Sequence, residues 1–208
     1  LKEYYTDSNG VMVENPKFLL RSEKVLKRCQ RRISRKVKGS KNRGKARQIL
    51  GKRHLKINRQ RKDHAIKLAR CVVQSNDLIA YEDLRIKNMV KNHCLAKSIN
   101  DASWYQFRIW IEYFGKVFEK VTVAVNPQYT SQECSSCGVI VKKTLSTRTH
   151  VCQCGCVMDR DFNAARNILS RGLGTVGHTG TLALNASNAL GESTSTLTGE
   201  ILFEQVGS

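Results

Sequence analysis

Residues 129–169 decide the fold: they open with YTSQECSSCG (129–138) and close with HVCQCGCVMDRDFNAARNIL (150–169). This stretch holds two cysteine knuckles separated by fourteen residues, and their cysteines are Cys134, Cys137, Cys152, Cys154 and Cys156. Two knuckles at such a separation supply four thiolates to one tetrahedral metal ion in a zinc ribbon. The spacing therefore predicts a zinc-binding module over residues 129–158.

The positive charge of the chain is concentrated in one segment. The 208 residues carry a formal net charge of +19, from 36 Lys or Arg and 17 Asp or Glu. Residues 17–62 contain 20 of the basic residues and a single acid, Glu23, so the remainder is neutral. A solvated charged surface is the usual interpretation of such a run. Here the charges would repel one another unless phosphates neutralised them, so the segment predicts a nucleic-acid partner.

The basic segment has a helical period. Apolar residues step by three and four from Leu19 to Val37, the stretch 38–43 followed by Gly44 interrupts them, and a second helical pattern runs from Lys45 to Gln74. We therefore predict a basic helical hairpin over residues 17–74. Its candidate nucleic-acid-binding residues are Arg28, Arg31, Arg32, Arg35, Lys36, Arg43, Arg47, Arg53, Arg59 and Arg61.

The other segments predict a mixed α/β domain. The expected elements are a strand hairpin (1–13), a strand ending in an acid (77–82), a polar loop (93–101), an amphipathic helix (102–120), a strand (121–125) and a helix (161–170). The acid that ends the second of these segments is Glu82, at the carboxyl edge where α/β sheets carry their chemistry. A solvated residue is the alternative role for Glu82. From Gly172 onward the chain has no Lys or Arg and no sustained apolar period, so residues 172–208 are predicted to be a flexible tail.

Cysteine use and hydropathy point to a cytoplasmic protein. Eight cysteines permit a disulfide framework, but five of them lie in the two knuckles. Zinc together with reduced thiols is therefore favoured over disulfides. No apolar run approaches the roughly 18 residues that span a membrane, so no membrane partner is expected.

The knuckles are followed at once by the motif DRDFNAA (159–165). This combination resembles the C-terminal region of the TnpB (OrfB) nucleases of bacterial insertion sequences, and of their relatives, the miniature type V CRISPR nucleases. The resemblance implies an RNase H-like (RuvC) domain with an inserted basic helical hairpin and a zinc ribbon. On that basis the domain covers 1–128, truncated at its first strand, the zinc ribbon covers 129–158, and the last helix of the domain covers 159–171.

The resemblance also implies site residues. Glu82 and Asp161 correspond to two of three carboxylates that hold two Mg²⁺ or Mn²⁺ ions during phosphodiester hydrolysis. Asp159 corresponds to a non-catalytic position and is suited to capping the helix. Cys134, Cys137 and Cys154 correspond to ligands of a structural zinc. Cys152 is favoured over Cys156 as the fourth ligand, with His150 a further alternative.

The first catalytic motif of the family, G-[IV]-D-x-G, is not found in the sequence. Asp7 is a poor substitute because it falls in the predicted hairpin turn. We therefore expect a fragment of an RNA-guided DNA endonuclease that is inactive alone, with DNA and a guide RNA as partners of the intact protein. The alternative is a non-catalytic zinc-ribbon protein that binds nucleic acid.

Overall fold

The computed structural model describes residues 2–144 and 146–177. Within those ranges the elements, in chain order, are β1 (Glu3–Thr6), β2 (Met12–Glu14), α1 (Phe18–Ser34), α2 (Lys41–Gln74), β3 (Leu78–Glu82), α3 (Ile86–Met89), α4 (His93–Ala102), α5 (Trp104–Val117), β4 (Val121–Val125), β5 (Thr149–Val151), β6 (Val157–Asp159) and α6 (Arg160–Gly177). The described strands pair as β1 with β2, β3 with β4 and β5 with β6. The mixed α/β class expected from the sequence is confirmed. No helix in the described ranges is long and apolar enough to cross a bilayer.

The N-terminal strands form an antiparallel hairpin that is anchored to the helices. Asp7 lies in its turn, as expected, and its carboxylate accepts two backbone N–H groups of that turn at 2.9 and 2.8 Å. Tyr4 is buried, and its ring meets Phe107 of α5 and His64 of α2 edge-on. The indole Nε1 of Trp104 donates to the Tyr4 carbonyl oxygen at 2.9 Å. The hairpin is therefore held by its first strand, and its turn, which contains Asp7, lies near the Phe162 ring of α6 at Gly10.

The basic segment folds as two helices, α1 and α2, joined by residues 35–40. The second helix begins at Lys41, earlier than the pattern indicates, because the Ser40 hydroxyl accepts the backbone N–H of Arg43 at 3.2 Å and caps the helix. α1 and α2 pack against each other, and Leu26 of α1 is buried. At 1.5 Å per residue, α2 is about 50 Å long, so it reaches from the basic surface into the core.

Residues 93–102 form helix α4, so the polar loop predicted over 93–101 is wrong. The Asn92 side chain accepts the backbone N–H of Cys94 at 3.1 Å and caps this helix. Only the last turn is buried, through Ile99, Asp101 and Ala102. With so few buried apolar residues, α4 shows no helical apolar period in the sequence.

Asp101 of α4 closes the N-terminus of α1. Its carboxylate accepts the backbone N–H groups of Leu19 (2.8 Å) and Leu20 (3.1 Å). The same carboxylate accepts Nη2 of Arg61 at 3.0 Å, with the two side chains only 17% (Arg61) and 6% (Asp101) exposed. This corrects the prediction that Arg61 lies on the nucleic-acid-binding surface, since its guanidinium is committed to an interior ion pair.

Replacing Arg61 should therefore weaken the fold. Removing one partner of a buried ion pair leaves the other charge uncompensated, which costs about 3 to 5 kcal/mol. We expect Arg61→Met to lower the free energy of unfolding by about that amount in urea titrations. Arg59→Met is the matched control, because Arg59 is exposed on the same helix and should change stability by less than about 0.5 kcal/mol. Equal effects of the two substitutions would contradict the interior role of Arg61.

The central core forms around a parallel pair of strands. β3 and β4 run in register from Leu78 opposite Val121 to Glu82 opposite Val125. Ile79 of β3 joins a buried cluster with residues of α2 and α5. Ala80 faces the opposite side by strand alternation and meets Gly172 of α6 so closely that a Cβ on that glycine would lie 2.5 Å from the Ala80 Cβ. Helices therefore cover both faces of the pair.

Helix α6 continues to Gly177, six residues beyond the predicted end at 171. The buried Gly172 packing explains the difference, because tertiary contact stabilises a stretch that lacks an apolar period. The rest of the predicted flexible tail, 178–208, lies outside the described residues.

Candidate functional site

The two cysteine knuckles converge on one point. The Sγ atoms of Cys134, Cys137, Cys152 and Cys154 all lie within 4.8 Å of one another. The shorter separations are 3.7 Å between Cys134 and Cys154 and 3.5 Å between Cys137 and Cys152. In a tetrahedral thiolate site with metal–sulfur bonds of about 2.3 Å, the sulfurs are about 3.8 Å apart. The four-cysteine cluster therefore has the dimensions to hold a metal ion.

Each knuckle depends on a glycine in the left-handed region. Gly138 has φ +75° and Gly155 has φ +87°. Their backbone N–H groups donate to the carbonyl oxygens of Cys134 (2.8 Å) and Cys152 (3.0 Å), closing the two turns. A side chain at either position would be strained, which explains the Gly after the cysteine in each knuckle. Burial opposes ionisation of the Cys134 thiol, but hydrogen bonds from the backbone N–H groups of Ser136 and Cys137, together with those to the His150 and Cys154 side chains, lower its pKa.

The structure separates the candidates for the fourth ligand. Cys152 lies in the four-cysteine cluster, whereas Cys156 and His150 form a smaller group with Cys134. His150 is fully buried, and its Nδ1 contacts the ammonium group of Lys143. The geometry thus favours Cys152 as the partner of the other three cysteines.

Two carboxylates are candidates for a site at the carboxyl edge of the parallel strands. Glu82 ends β3 opposite Val125, and Asp161 stands in the first turn of α6. Burial raises the pKa of Glu82 and the negative charge of Asp161 adds to that shift, whereas a hydrogen bond from Thr130 and the positive charge of Arg171 oppose it. A bound cation would relieve both the desolvation and the repulsion at this edge. We call Glu82 and Asp161 the acidic pair.

Arginines and a helix cap hold Asp161 in place. Arg148 Nη1 and Arg160 Nε each donate to its carboxylate at 3.1 Å. Asp159 accepts the backbone N–H groups of Asp161 (2.7 Å) and Phe162 (3.2 Å). The capping role predicted for Asp159 is confirmed. Because the cap fixes the start of α6, it also fixes the position of Asp161 in the first turn.

A polar face of α6, not predicted from the sequence, ties the helix to residues 129–158, the cysteine module. Asn163 Oδ1 accepts the backbone N–H of Ser135 (3.0 Å), and its Nδ2 donates to the Glu133 carbonyl (2.7 Å). Asn167 Nδ2 donates to the Glu133 carbonyl (2.7 Å), and Arg171 Nη2 donates to the Glu133 carboxylate (2.6 Å). The signal available in the sequence is their spacing: three polar residues four apart lie on one helix face.

The basic helices keep most of their cations exposed. Arg28, Arg31, Arg32, Arg35 and Lys36 line an open concavity of about 420 Å³ near the end of α1. Arg47, Arg53 and Arg59 of α2 are exposed, and Arg43 is half-buried. All ten predicted nucleic-acid-binding residues are at least partly exposed, but the guanidinium of Arg61 is paired with Asp101.

Two family matches cover most of the chain. Residues 1–93 match the OrfB family described as "Probable transposase", and residues 104–168 match the "Cas12f1-like, TNB domain" family. The two matches include Glu82 and Asp161, respectively, and the second includes all the knuckle cysteines.

Individual relatives agree with these matches. A protein of Streptomyces pristinaespiralis named "Putative RNA-guided DNA endonuclease" is 40% identical over 170 residues, which are 81% of this chain and 42% of the relative. InsQ of Escherichia coli K12, with the same description, is 34% identical over 184 residues, covering 80% and 46%. The "TnpB-like protein L79" of Acanthamoeba polyphaga mimivirus is 32% identical over 141 residues, covering 64% and 27%. The chain spans less than half the length of these relatives, and by these matches it belongs to the TnpB (OrfB) family.

Proposed function

We propose that the chain forms part of a TnpB-type, transposon-encoded, RNA-guided DNA endonuclease. Its catalytic domain would be RNase H-like (RuvC), with α1 and α2 as the inserted basic hairpin. The observation that carries the proposal is the acidic pair: Glu82 ends β3 at the carboxyl edge of the β3–β4 sheet, and Asp161, 79 positions later, lies in the first turn of α6, the helix that packs against β3. The names of the relatives support the same activity.

The acidic pair suits hard cations. Glu82 and Asp161 offer carboxylate oxygens, which Mg²⁺ and Mn²⁺ prefer. A pair of such ions activates water and stabilises the leaving 3′ oxygen in phosphodiester hydrolysis. Arg148 binds Asp161 while remaining 57% exposed, so it can also attract a phosphate. The third carboxylate implied by the family resemblance belongs to a G-[IV]-D-x-G motif, which the 208 residues do not contain.

Zinc is the metal we assign to the four-cysteine cluster. Four thiolates in tetrahedral geometry are a closed structural zinc site and leave no position for substrate. Cys134, Cys137, Cys152 and Cys154 would fold the module, and through the polar face of α6 the folded module would support the acidic pair.

The function is tested with a protein that carries this chain together with the G-[IV]-D-x-G motif and its guide RNA. We expect Mg²⁺-dependent cleavage of DNA that matches the guide. Binding of nucleic acid with no cleavage under any divalent metal would instead favour a non-catalytic zinc-ribbon protein.

Nucleic-acid binding by the chain should depend steeply on salt. The basic hairpin presents Lys and Arg, so contacts to phosphates dominate and each releases counterions. If six phosphates are neutralised, the slope of log affinity against log salt on duplex DNA is about −5. Replacing Arg28, Arg31, Arg32 and Arg35 with Glu should make the slope shallower by about 3 to 4, measured by fluorescence anisotropy.

A charge-matched control separates this surface from net charge. Lys87, Lys91, Lys116 and Lys142 are exposed and lie outside residues 17–62. Replacing these four lysines with Glu changes the charge equally and should leave most of the slope intact. Equal losses in the two quadruple variants would rule out a dedicated surface on the hairpin.

A further inference from the structure

One hydrogen bond links the cysteine module directly to the acidic pair. Thr130 Oγ1 donates to Glu82 Oε1 at 2.5 Å. Thr130 lies four residues before Cys134, at the entrance to the module, and is 3% exposed. Because Thr130 is buried, solvent competes little for its hydroxyl, which stays on the half-buried Glu82 carboxylate.

Thr130 is itself held from two sides. Asn167 Nδ2 of α6 donates to the Thr130 carbonyl oxygen at 2.8 Å. The Thr130 hydroxyl also lies 3.1 Å from the carbonyl oxygen of Pro127, the alternative acceptor for its single proton. The carboxylate oxygen is the nearer acceptor and carries charge, so it is the stronger partner.

The geometry points to Thr130 as a positioning residue for Glu82, and this inference rests on the proposed function. By engaging Oε1, the Thr130 hydroxyl fixes the carboxylate orientation and leaves Oε2 to bind a divalent cation. The same helix that orients Thr130 through Asn167 also carries Asp161. Helix α6 therefore positions both members of the acidic pair: it carries Asp161, and it holds Thr130, which binds Glu82.

The cysteine module thereby gains a role beyond its own folding. Asn163 and Asn167 hold the Glu133 carbonyl, next to Cys134, and Asn167 also holds Thr130. Disorder in the first knuckle would release this segment and with it the Glu82 hydrogen bond. A metal in the four-cysteine cluster thus favours the orientation of Glu82 that binds a cation.

The test compares three variants of the full chain. Thr130→Val removes the hydroxyl at nearly constant volume, Thr130→Ser retains it, and Thr122→Val is the control for a half-buried threonine of β4 whose methyl group lies against Gly115. Loss of a hydrogen-bond partner that orients a metal ligand costs about 10- to 100-fold in metal affinity. We expect Thr130→Val to weaken Mn²⁺ binding by that factor, measured by electron paramagnetic resonance. Thr130→Ser and Thr122→Val should bind Mn²⁺ within about threefold of the parent chain. The zinc content should be unchanged in all three variants.

The outcomes separate the inference from the proposed function. If the parent chain binds Mn²⁺ and loses this binding on Glu82→Gln, but Thr130→Val binds equally well, the positioning role is overturned while the function stands. If Thr130→Val loses zinc as well as Mn²⁺ binding, the role of Thr130 is structural only and the inference is overturned. The same holds if Thr130→Ser binds Mn²⁺ as weakly as Thr130→Val. Parent Mn²⁺ binding that is unaffected by Glu82→Gln counts against the proposed function itself. In the assembled nuclease, the Thr130→Val defect should appear in kcat more than in KM.

Discussion

Removal of metal from the four-cysteine cluster is expected to unfold the cysteine module while the core of β3, β4, α2 and α5 persists. Structural zinc in small modules contributes an apparent ~10 to 16 kcal/mol, far more than packing can replace here. Of the module's side chains, few are buried, among them Thr130, Cys134, His150 and Cys152. We expect one zinc per chain by elemental analysis, and hydrogen exchange that accelerates over residues 129–159 after chelation.

Single substitutions identify the ligands. Cys134→Ser and Cys154→Ser should each lose the zinc, because their sulfurs belong to the four-cysteine cluster. Cys29→Ser should retain it, since Cys29 lies on α1 within the basic hairpin. Cys156→Ser should also retain it. Zinc lost from Cys156→Ser but kept by Cys152→Ser would reassign the fourth ligand.

Cleavage by the complete nuclease should disappear when either member of the acidic pair is removed. Each metal ion supplies several kcal/mol of transition-state stabilisation, and each 1.36 kcal/mol is tenfold in rate. A loss of about 4 kcal/mol therefore predicts that Glu82→Ala and Asp161→Ala each reduce kcat by about a thousandfold or more. The measurement is single-turnover cleavage of a guide-matched duplex in Mg²⁺.

Neighbouring acids provide the controls. Asp83 follows Glu82 directly but is bound by Arg108, and Asp7 stabilises the β1–β2 turn. Asp83→Asn and Asp7→Ala should keep cleavage within about tenfold of the parent. Robust metal-dependent cleavage by the 208-residue chain alone would mean that another residue completes the site, with Asp7 or Asp159 the first to examine.

Strongly patterned segments were predictable because their signals are local. The apolar run before Glu82 gave β3, the alternation after Lys120 gave β4, and the cysteine spacing gave the two knuckles. Helix α4 escaped prediction because its stability comes from one buried turn and from its contacts with α1. An apolar period appears in a sequence only when several apolar side chains face the core, and α4 has too few of them.

The functional assignment of charged residues was less predictable. Arg61 stands among exposed arginines and has the same local pattern, yet it pairs with Asp101, forty positions away. Composition predicts that a segment is basic, but only packing determines which guanidinium turns inward. The same limit applies to Thr130, whose hydroxyl is close in sequence to the cysteines but bonded to an acid 48 positions earlier.

The sequence by itself determined the inventory of this protein: its α/β class, its basic segment, its two knuckles and the two acids of the family motifs. The class, the basic segment and the knuckles follow from local spacing and composition, whereas the two acids were identified by the resemblance to the family motifs. The tertiary structure decided which of these residues meet. It packed the helix that carries Asp161 against the strand that ends in Glu82, paired Arg61 with Asp101, and bound Thr130 to Glu82. Such contacts join distant segments, because the energy of a buried hydrogen bond or ion pair depends on which chain elements exclude water around it.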